Sequence, residues 1–469
     1  MPVALPFGIL AGAVFSLLDP VYVLVALALI FLTALMLSVP ESGVLLILFL
    51  LPLSGFFAHG RQLILFLFFL LLVGYLIKWI CGNRTFRLEA QDFPVLLLLV
   101  LFFFSALSAA GSEARMSAFL SVVALIAYFL MVNILATPGW LARSRVVLIA
   151  SGTLAAVVGI IQFIAAAVSA PPDAAATDLG AFVKAGFSNS VSYAWFLIIA
   201  FSFLFPSLWE VSKKWRLPGI AAAVLMVGGV ALSYVQSAWA AFALIMLLFA
   251  LLYDYRALPI TLFGGGLMTA LVLMLPTVIS DRLLSALRES EGLAARRRQT
   301  AETLSHIFFG NGSGVFARGH SLRRFAFGLG RGGLEWIYPV FTDTGTAIEG
   351  DVCNFFMGFV AEFGVICLVV PAALFFLLLQ NCFTALAAAR KRDEKRPAVA
   401  FAGICLTGAS VLFACFHYTW ADPAALALFL VALALVGASL RYERARTAPL
   451  REATAENGDR AELDYRVRV

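Results

Sequence analysis

Fourteen apolar stretches follow one another along this chain, and most are long enough to cross the ~30 Å hydrocarbon core of a bilayer as a helix. They lie near 3–18, 21–38, 42–58, 62–80, 93–110, 115–136, 144–168, 188–208, 217–234, 236–253, 257–276, 352–380, 398–416 and 421–440. The first is short, and the ninth and tenth meet in a very tight turn, so the count is 12–14. Backbone polar groups have no water to bond in hydrocarbon, which leaves helices or a closed barrel as spanning structures, and apolar runs of this length are helical. With 62% hydrophobic and 13% charged residues, and a mean hydropathy of +0.98, 469 residues cannot clothe a water-soluble surface. The expected fold is an all-α polytopic membrane protein of about 14 transmembrane helices, with one large outer loop that contains short helices.

Lysine and arginine orient the spans. With the N-terminus cytoplasmic, the inner loops hold Arg84, Arg87, Arg143, Arg145, Lys213, Lys214, Arg216 and the run Arg390–Arg396, while short outer loops hold only Arg61, Arg115 and Lys184. Both termini are then cytoplasmic, and the net charge of +6 reflects loop anchoring rather than affinity for nucleic acid. The N-terminus lacks a basic region and an obvious cleavage site, so it reads as a retained first span. The tail from 441 to 469 mixes Arg and Glu without periodicity and reads as a disordered cytoplasmic extension. Six scattered cysteines form no CxxC pair and no Cys/His cluster, so neither zinc nor a disulfide framework is indicated.

One loop departs from this charge pattern. Residues 277–351 face outward yet carry nine arginines and no lysine. A guanidinium grips phosphate oxygens in bidentate fashion, which an ammonium cannot do. Within "ARRRQTAE" (295–302), Glu302 stands one turn after Arg298 and gives it a local partner. Arg296 and Arg297 have no such partner and serve either a ligand or a solvated face. "GNGSG" (310–314) and "GLGRGG" (328–333) are either exposed-amide anion sites or flexible loop glycines. The stretch from Val352 to Gln380 reads as one helix about 43 Å long. Glu362 lies roughly 15 Å along it, the only acid well inside a span. A carboxylate at that depth is either functional or bonded to a neighbouring helix.

Three segments, "KAGFSNS" (184–190), "SYVQSAW" (233–239) and "CNFFMGFVAEFGVIC" (353–367), resemble in order and spacing the O-antigen ligase and O-antigen polymerase superfamily. The likeness covers roughly residues 181–440, following N-terminal transmembrane helices in 1–180. The family's motif after the outer loop is His-Asn or His-Ser, nine residues, Gly, two residues, then a small residue or Tyr. Here Asn354 and Gly364 match, and cysteines stand at 353 and 367. Gln236 and Ser237 occupy the turn where the family commonly has Ser-Arg, and Lys184 stands where an arginine often precedes Gly-x-Phe.

The resemblance implies a glycosyltransferase of the bacterial inner membrane, working on its outer face without cofactor or metal. Glycan linked to undecaprenyl diphosphate would be moved to a sugar hydroxyl on a glycan or lipid acceptor. Membrane lipids and polysaccharide assembly proteins are the further partners implied, and nucleic acid is not one. Departure of a diphosphate needs positive charge around it, and a base assists the attacking hydroxyl. The candidate catalytic residues are Asp351, Arg297 and Glu362. Candidate substrate-binding residues are Lys184, Gln236, Arg296, Arg323, Arg324, His306, His320 and Asn354. Asp351 serves either as the base or as an acid favoured at a helix start. Polymerisation of repeat units is preferred over ligation because the histidine and the turn arginine are absent. The alternatives are a polysaccharide or lipid-linked oligosaccharide transporter or flippase, and a non-catalytic assembly scaffold. A transporter needs polar groups along several spans, and here Gln162, Gln236 and Glu362 are the main ones.

Overall fold

The computed structural model describes residues 20–57, 59–82, 85–109, 111–135, 137–169, 182–252, 325–331, 354–391 and 397–468. Among these the fold is helical throughout, with no strand. The α-helices are α1 (Pro20–Ser38), α2 (Pro40–Leu50), α3 (Gly60–Ile80), α4 (Phe93–Ser108), α5 (Ser112–Ile134), α6 (Pro138–Ser169) and α7 (Ser190–Glu210). They continue with α8 (Lys213–Leu232), α9 (Gln236–Leu252), α10 (Phe355–Phe363), α11 (Val369–Lys391), α12 (Ala398–Ala414) and α13 (Pro423–Arg468). Several open on proline at or next to the first helical position, where its missing N–H costs no hydrogen bond.

Each expected span within the described residues is occupied by a helix. Among the described residues, eight helices are long and apolar enough to cross a membrane, and four apolar helices are shorter. The expected stretches 3–18 and 257–276 lie outside the described residues, as do residues 277–324 and 332–351 of the outer loop.

One expectation is corrected. The stretch 352–380 is not one continuous helix. α10 ends at Phe363, Gly364 takes a left-handed conformation with φ +88°, a single 3-10 turn follows, and α11 then runs to Lys391. The cause is the segment 325–331, which lies against the end of α10. Leu329 and Gly330 donate their N–H groups to the carbonyls of Ala361 and Glu362 (2.7 and 3.0 Å), and Val365 donates to Phe325 (2.9 Å). The last carbonyls of α10, orphaned at any helix end, are thus taken by a passing strand of loop. Glu362 accordingly sits at the end of a short helix, not inside a long one. α13 runs past Arg441 as helix to Arg468. Glu443 and Arg446 pair one turn apart on its exposed face.

α7 and α13 are enclosed almost all round, and the other helices pack about them. Trp195 of α7 stacks near Phe413 of α12 and Phe429 of α13, with ring centres 5.0 and 6.3 Å away. On the opposite side of α7, Gly159 of α6 and Gly229 of α8 leave just enough room for the Tyr193 ring. Small residues of this kind let helices approach closely in a medium where apolar surface alone gives little drive for association.

The end that positive charge assigns to the inside is held by a polar clamp. Arg441 pairs with Asp92 and Glu89, and Arg444 pairs with Glu89 at 2.7 Å. Tyr128 donates to the other Asp92 oxygen at 2.9 Å. Glu89 and Asp92 also form a reciprocal capping box on the 3-10 turn Ala90–Asp92 that leads into α4. This clamp ties the entry of α4 to α5 and α13, so the opposite ends of the same helices are set in register.

Candidate functional site

At the end that the charge pattern assigns to the outside, one cavity of about 940 Å³ opens between α3, α5 and α13. All three helices start at its mouth and descend from it. The mouth is polar. It holds Ser112, Glu113 and Ser117 of α5, Asp422 before α13, Ser188, Arg331 and Glu362. Deeper, the walls become apolar through Leu65 and Phe68 of α3 and Leu120, Val123 and Ala124 of α5. From Ser112 to Ala124 the α5 wall is about 18 Å long at 1.5 Å per residue. Over that length it is polar through Ser117, and the apolar part from Leu120 to Ala124 spans about 6 Å.

The loop "KAGFSNS" forms part of the mouth. Gln162 of α6 holds it by accepting from the N–H groups of Lys184 and Ala185 (3.1 and 2.8 Å) and donating to the Ala185 carbonyl (3.2 Å). Gly186 lies flat against the 3-10 turn Leu51–Phe56, where Gly55 donates to its carbonyl at 3.1 Å and a Cβ would meet the Pro52 carbonyl. Asn189 then caps α7 by accepting from the N–H of Ser192 at 2.7 Å. Ser188, in between, donates to Asp422 Oδ2 at 2.7 Å. Asp422 Oδ1 accepts from the N–H of Ala424 at 3.0 Å. This carboxylate is thus fixed on both oxygens at the start of α13, where the helix dipole favours a negative charge.

Beside it stands a buried charged cluster. Arg331 is 3% exposed and Glu362 11%. The guanidinium donates to Glu362 Oε2 (3.1 Å), to Ser117 Oγ (3.2 Å) and to the carbonyls of Trp420 (3.1 Å) and Ala421 (2.5 Å). Its backbone N–H donates to Ser105 Oγ at 2.9 Å, and the charge lies over the Phe102 ring, 5.6 Å from its centre. Tyr418 donates its hydroxyl proton to the same Glu362 oxygen at 2.7 Å. One arginine thus links segment 325–331 to α4, α5, α10 and the turn before α13.

Of the sequence candidates, Glu362 lies in this cavity. Asn354 caps α10, its side-chain oxygen accepting from the N–H of Met357 at 2.8 Å. Lys184 is half-buried two residues before the cavity-lining Gly186 and does not itself line the cavity. Gln236 opens α9 at the same end, also away from the cavity lining. Asp351, Arg296, Arg297, Arg323, Arg324, His306 and His320 lie outside the described residues.

Sequence reading passed over Asp422, Ser188 and Tyr418, and gave Arg331 no role of its own. The signal for Asp422 was the dipeptide Asp-Pro ahead of an apolar run, which marks a helix start with an acidic cap. "GLGRGG" drew notice for its glycines as anion-site or flexible loop residues. Neither reading describes what Gly328 and Gly330 do. Both take positive φ (+74° and +82°), and Gly328 presses against the backbone of Glu362 and Phe363, so the segment can dock on α10 and deliver Arg331.

Comparison with models of known protein families and with curated proteins finds no match.

Gly364→Ala should show how much this docking matters. A Cβ there would meet the Ala326 carbonyl at 2.1 Å, in a backbone region that only glycine adopts comfortably. Strain of this kind costs about 1–3 kcal/mol. Thermal unfolding of the detergent-solubilised variant should report a loss of that size. A melting point equal to that of the parent would mean the segment is not docked on α10.

Proposed function

We propose that the chain is a membrane glycosyltransferase, moving glycan from an undecaprenyl-diphosphate carrier to a sugar hydroxyl at the mouth of this cavity. The observation that carries the reading is the shape of the cavity. Its mouth is built partly from two of the segments that carry the family resemblance, and its apolar wall runs down the helices. A lipid diphosphate has the same division, with a charged head and a long hydrocarbon chain.

In this reading Asp422 is the base, in place of Asp351. An oxygen of its carboxylate takes the proton of the acceptor hydroxyl as that oxygen attacks the anomeric carbon. The bond from that carbon to the diphosphate oxygen breaks, and the electron pair leaves with the diphosphate. Positioned general bases contribute about 10²–10⁴-fold to such steps. Positive charge for the leaving group is assigned to the outer-loop arginines Arg296, Arg297, Arg323 and Arg324, because the charge of Arg331 is already balanced by Glu362. Polymerisation of repeat units is preferred over ligation, on the missing histidine at position 353.

A transporter reading is disfavoured by the distribution of space. A second, smaller cavity of about 180 Å³ lies at the opposite end, lined by Arg145, Glu210 and Tyr442. Between the two levels α7 and α13 are tightly enclosed.

The deciding experiment compares lipid-linked and surface glycans in host cells with and without the gene. Single repeat units stranded on the carrier in the deletion strain would support polymerisation. Full-length chains that stay on the carrier would indicate a ligase. Unchanged length distributions would overturn both and return the protein to transport or scaffolding.

A further inference from the structure

We propose that Arg331 is a positioning residue for Asp422, not a ligand of the diphosphate; this rests on the transfer reading above. Its guanidinium lines the cavity, yet its hydrogen bonds run into the protein. One terminal nitrogen reaches Glu362, and the other reaches Ser117 and the two carbonyls of Trp420 and Ala421. Those carbonyls belong to the two residues immediately before Asp422. A guanidinium has its donors in a rigid fork, so holding both carbonyls fixes the path of the chain and not just its distance.

The same turn is held from its other side. Tyr418 starts it and donates to the Glu362 oxygen that Arg331 also uses. Within the turn, the N–H groups of Ala421 and Asp422 donate to the carbonyls of Tyr418 and Thr419 at 3.2 and 3.1 Å. Beyond it, Ser188 holds the carboxylate itself. Arg331, Glu362 and Tyr418 therefore form a frame around residues 418–422, and the carboxylate that leaves this frame faces the cavity.

Arg331 arrives on segment 325–331, which lies against the end of α10. Docking of that segment on α10 and alignment of Asp422 are consequently one event.

The test uses full-length protein in lipid nanodiscs, with undecaprenyl-diphosphate-linked oligosaccharide extracted from the host as donor. Inorganic pyrophosphate serves as a competing head group. Arg331→Gln should lower kcat by about tenfold to a hundredfold, the cost of a slightly misplaced catalytic group. KM for the donor and inhibition by pyrophosphate should stay as in the parent protein. Arg331→Lys, which keeps the charge and loses the fork, should fail to restore kcat. A rise in KM and weaker pyrophosphate inhibition at unchanged kcat would overturn the proposal and make Arg331 a donor ligand. Unchanged kinetics would overturn it as well. If Arg331→Gln does not accumulate, Tyr418→Phe loosens the same frame, with kcat expected to fall severalfold at constant KM, and an unaltered kcat again counts against the proposal. A parent protein that transfers nothing defeats the transfer reading alone. The frame is then read by labelling Asp422→Cys with a membrane-impermeant maleimide. Adding Tyr418→Phe should change the labelling rate severalfold, and an identical rate overturns the frame.

Discussion

Asp422→Asn should lower glycan transfer by about 10²–10⁴-fold, the contribution of a positioned general base, while the protein folds and inserts as before. The two halves of this expectation come from the same geometry. Asparagine is as good a helix cap as aspartate, so its side-chain oxygen can keep the bond from the Ala424 N–H. Its amide nitrogen can take the place of Oδ2 and donate to Ser188, whose hydroxyl accepts as readily as it donates. What the amide cannot do is receive a proton from an attacking hydroxyl. The measurement is turnover of lipid-linked donor in nanodiscs, together with thermal unfolding of the same preparation. Loss of turnover with an unchanged melting point supports the assignment. Full activity in Asp422→Asn would show that the carboxylate is only a cap, and the search for a base would return to Asp351 or to the outer-loop histidines. A scaffold would tolerate the substitution with no change in glycan length.

Much of this arrangement could be read from the sequence, and the unread part has identifiable causes. The apolar runs located the helices because a bilayer demands satisfied backbone along ~30 Å, which leaves a long and unambiguous signal. The spacing between Asn354 and Gly364 was noticed as a motif, and it has a plain structural meaning. Asn354 caps α10, Gly364 terminates it in a left-handed conformation, and the nine residues between them are the helix. Hydropathy could not show that break, because α10 and α11 are both apolar and only segment 325–331 makes separation favourable. Gln162, noted only as a polar intrusion in a span, proves to be the residue that pins the 184–185 backbone. Glu362 was found because an acid amid apolar residues is conspicuous. Its partners were not, since Arg331 is 31 positions away and Tyr418 is 56, and no local pattern links them.

The second large effect is expected at Glu362. Glu362→Ala should destabilise the protein by about 3–5 kcal/mol, because removing one member of a buried ion pair leaves the other charge without compensation. The size depends on burial, and the Arg331 side chain is only 3% exposed. Surface pairs contribute at most about 1 kcal/mol, so Arg444→Ala at the opposite end, where the side chain is 46% exposed, serves as the internal comparison. Tyr418→Phe should fall between the two, at about 1.5–3 kcal/mol, since it removes one hydrogen bond to a charged group and leaves the ion pair intact. All three variants can be followed by thermal or denaturant unfolding in one detergent. The ordering carries more weight than any single value. If Glu362→Ala melts no earlier than Arg444→Ala, the Arg331–Glu362 pair is not a structural anchor, and Arg331 would be free to meet an anionic ligand. If the ordering holds, Glu362 acts through the frame around Asp422. Glu362 would then leave proton transfer to the carboxylate that its frame presents to the cavity.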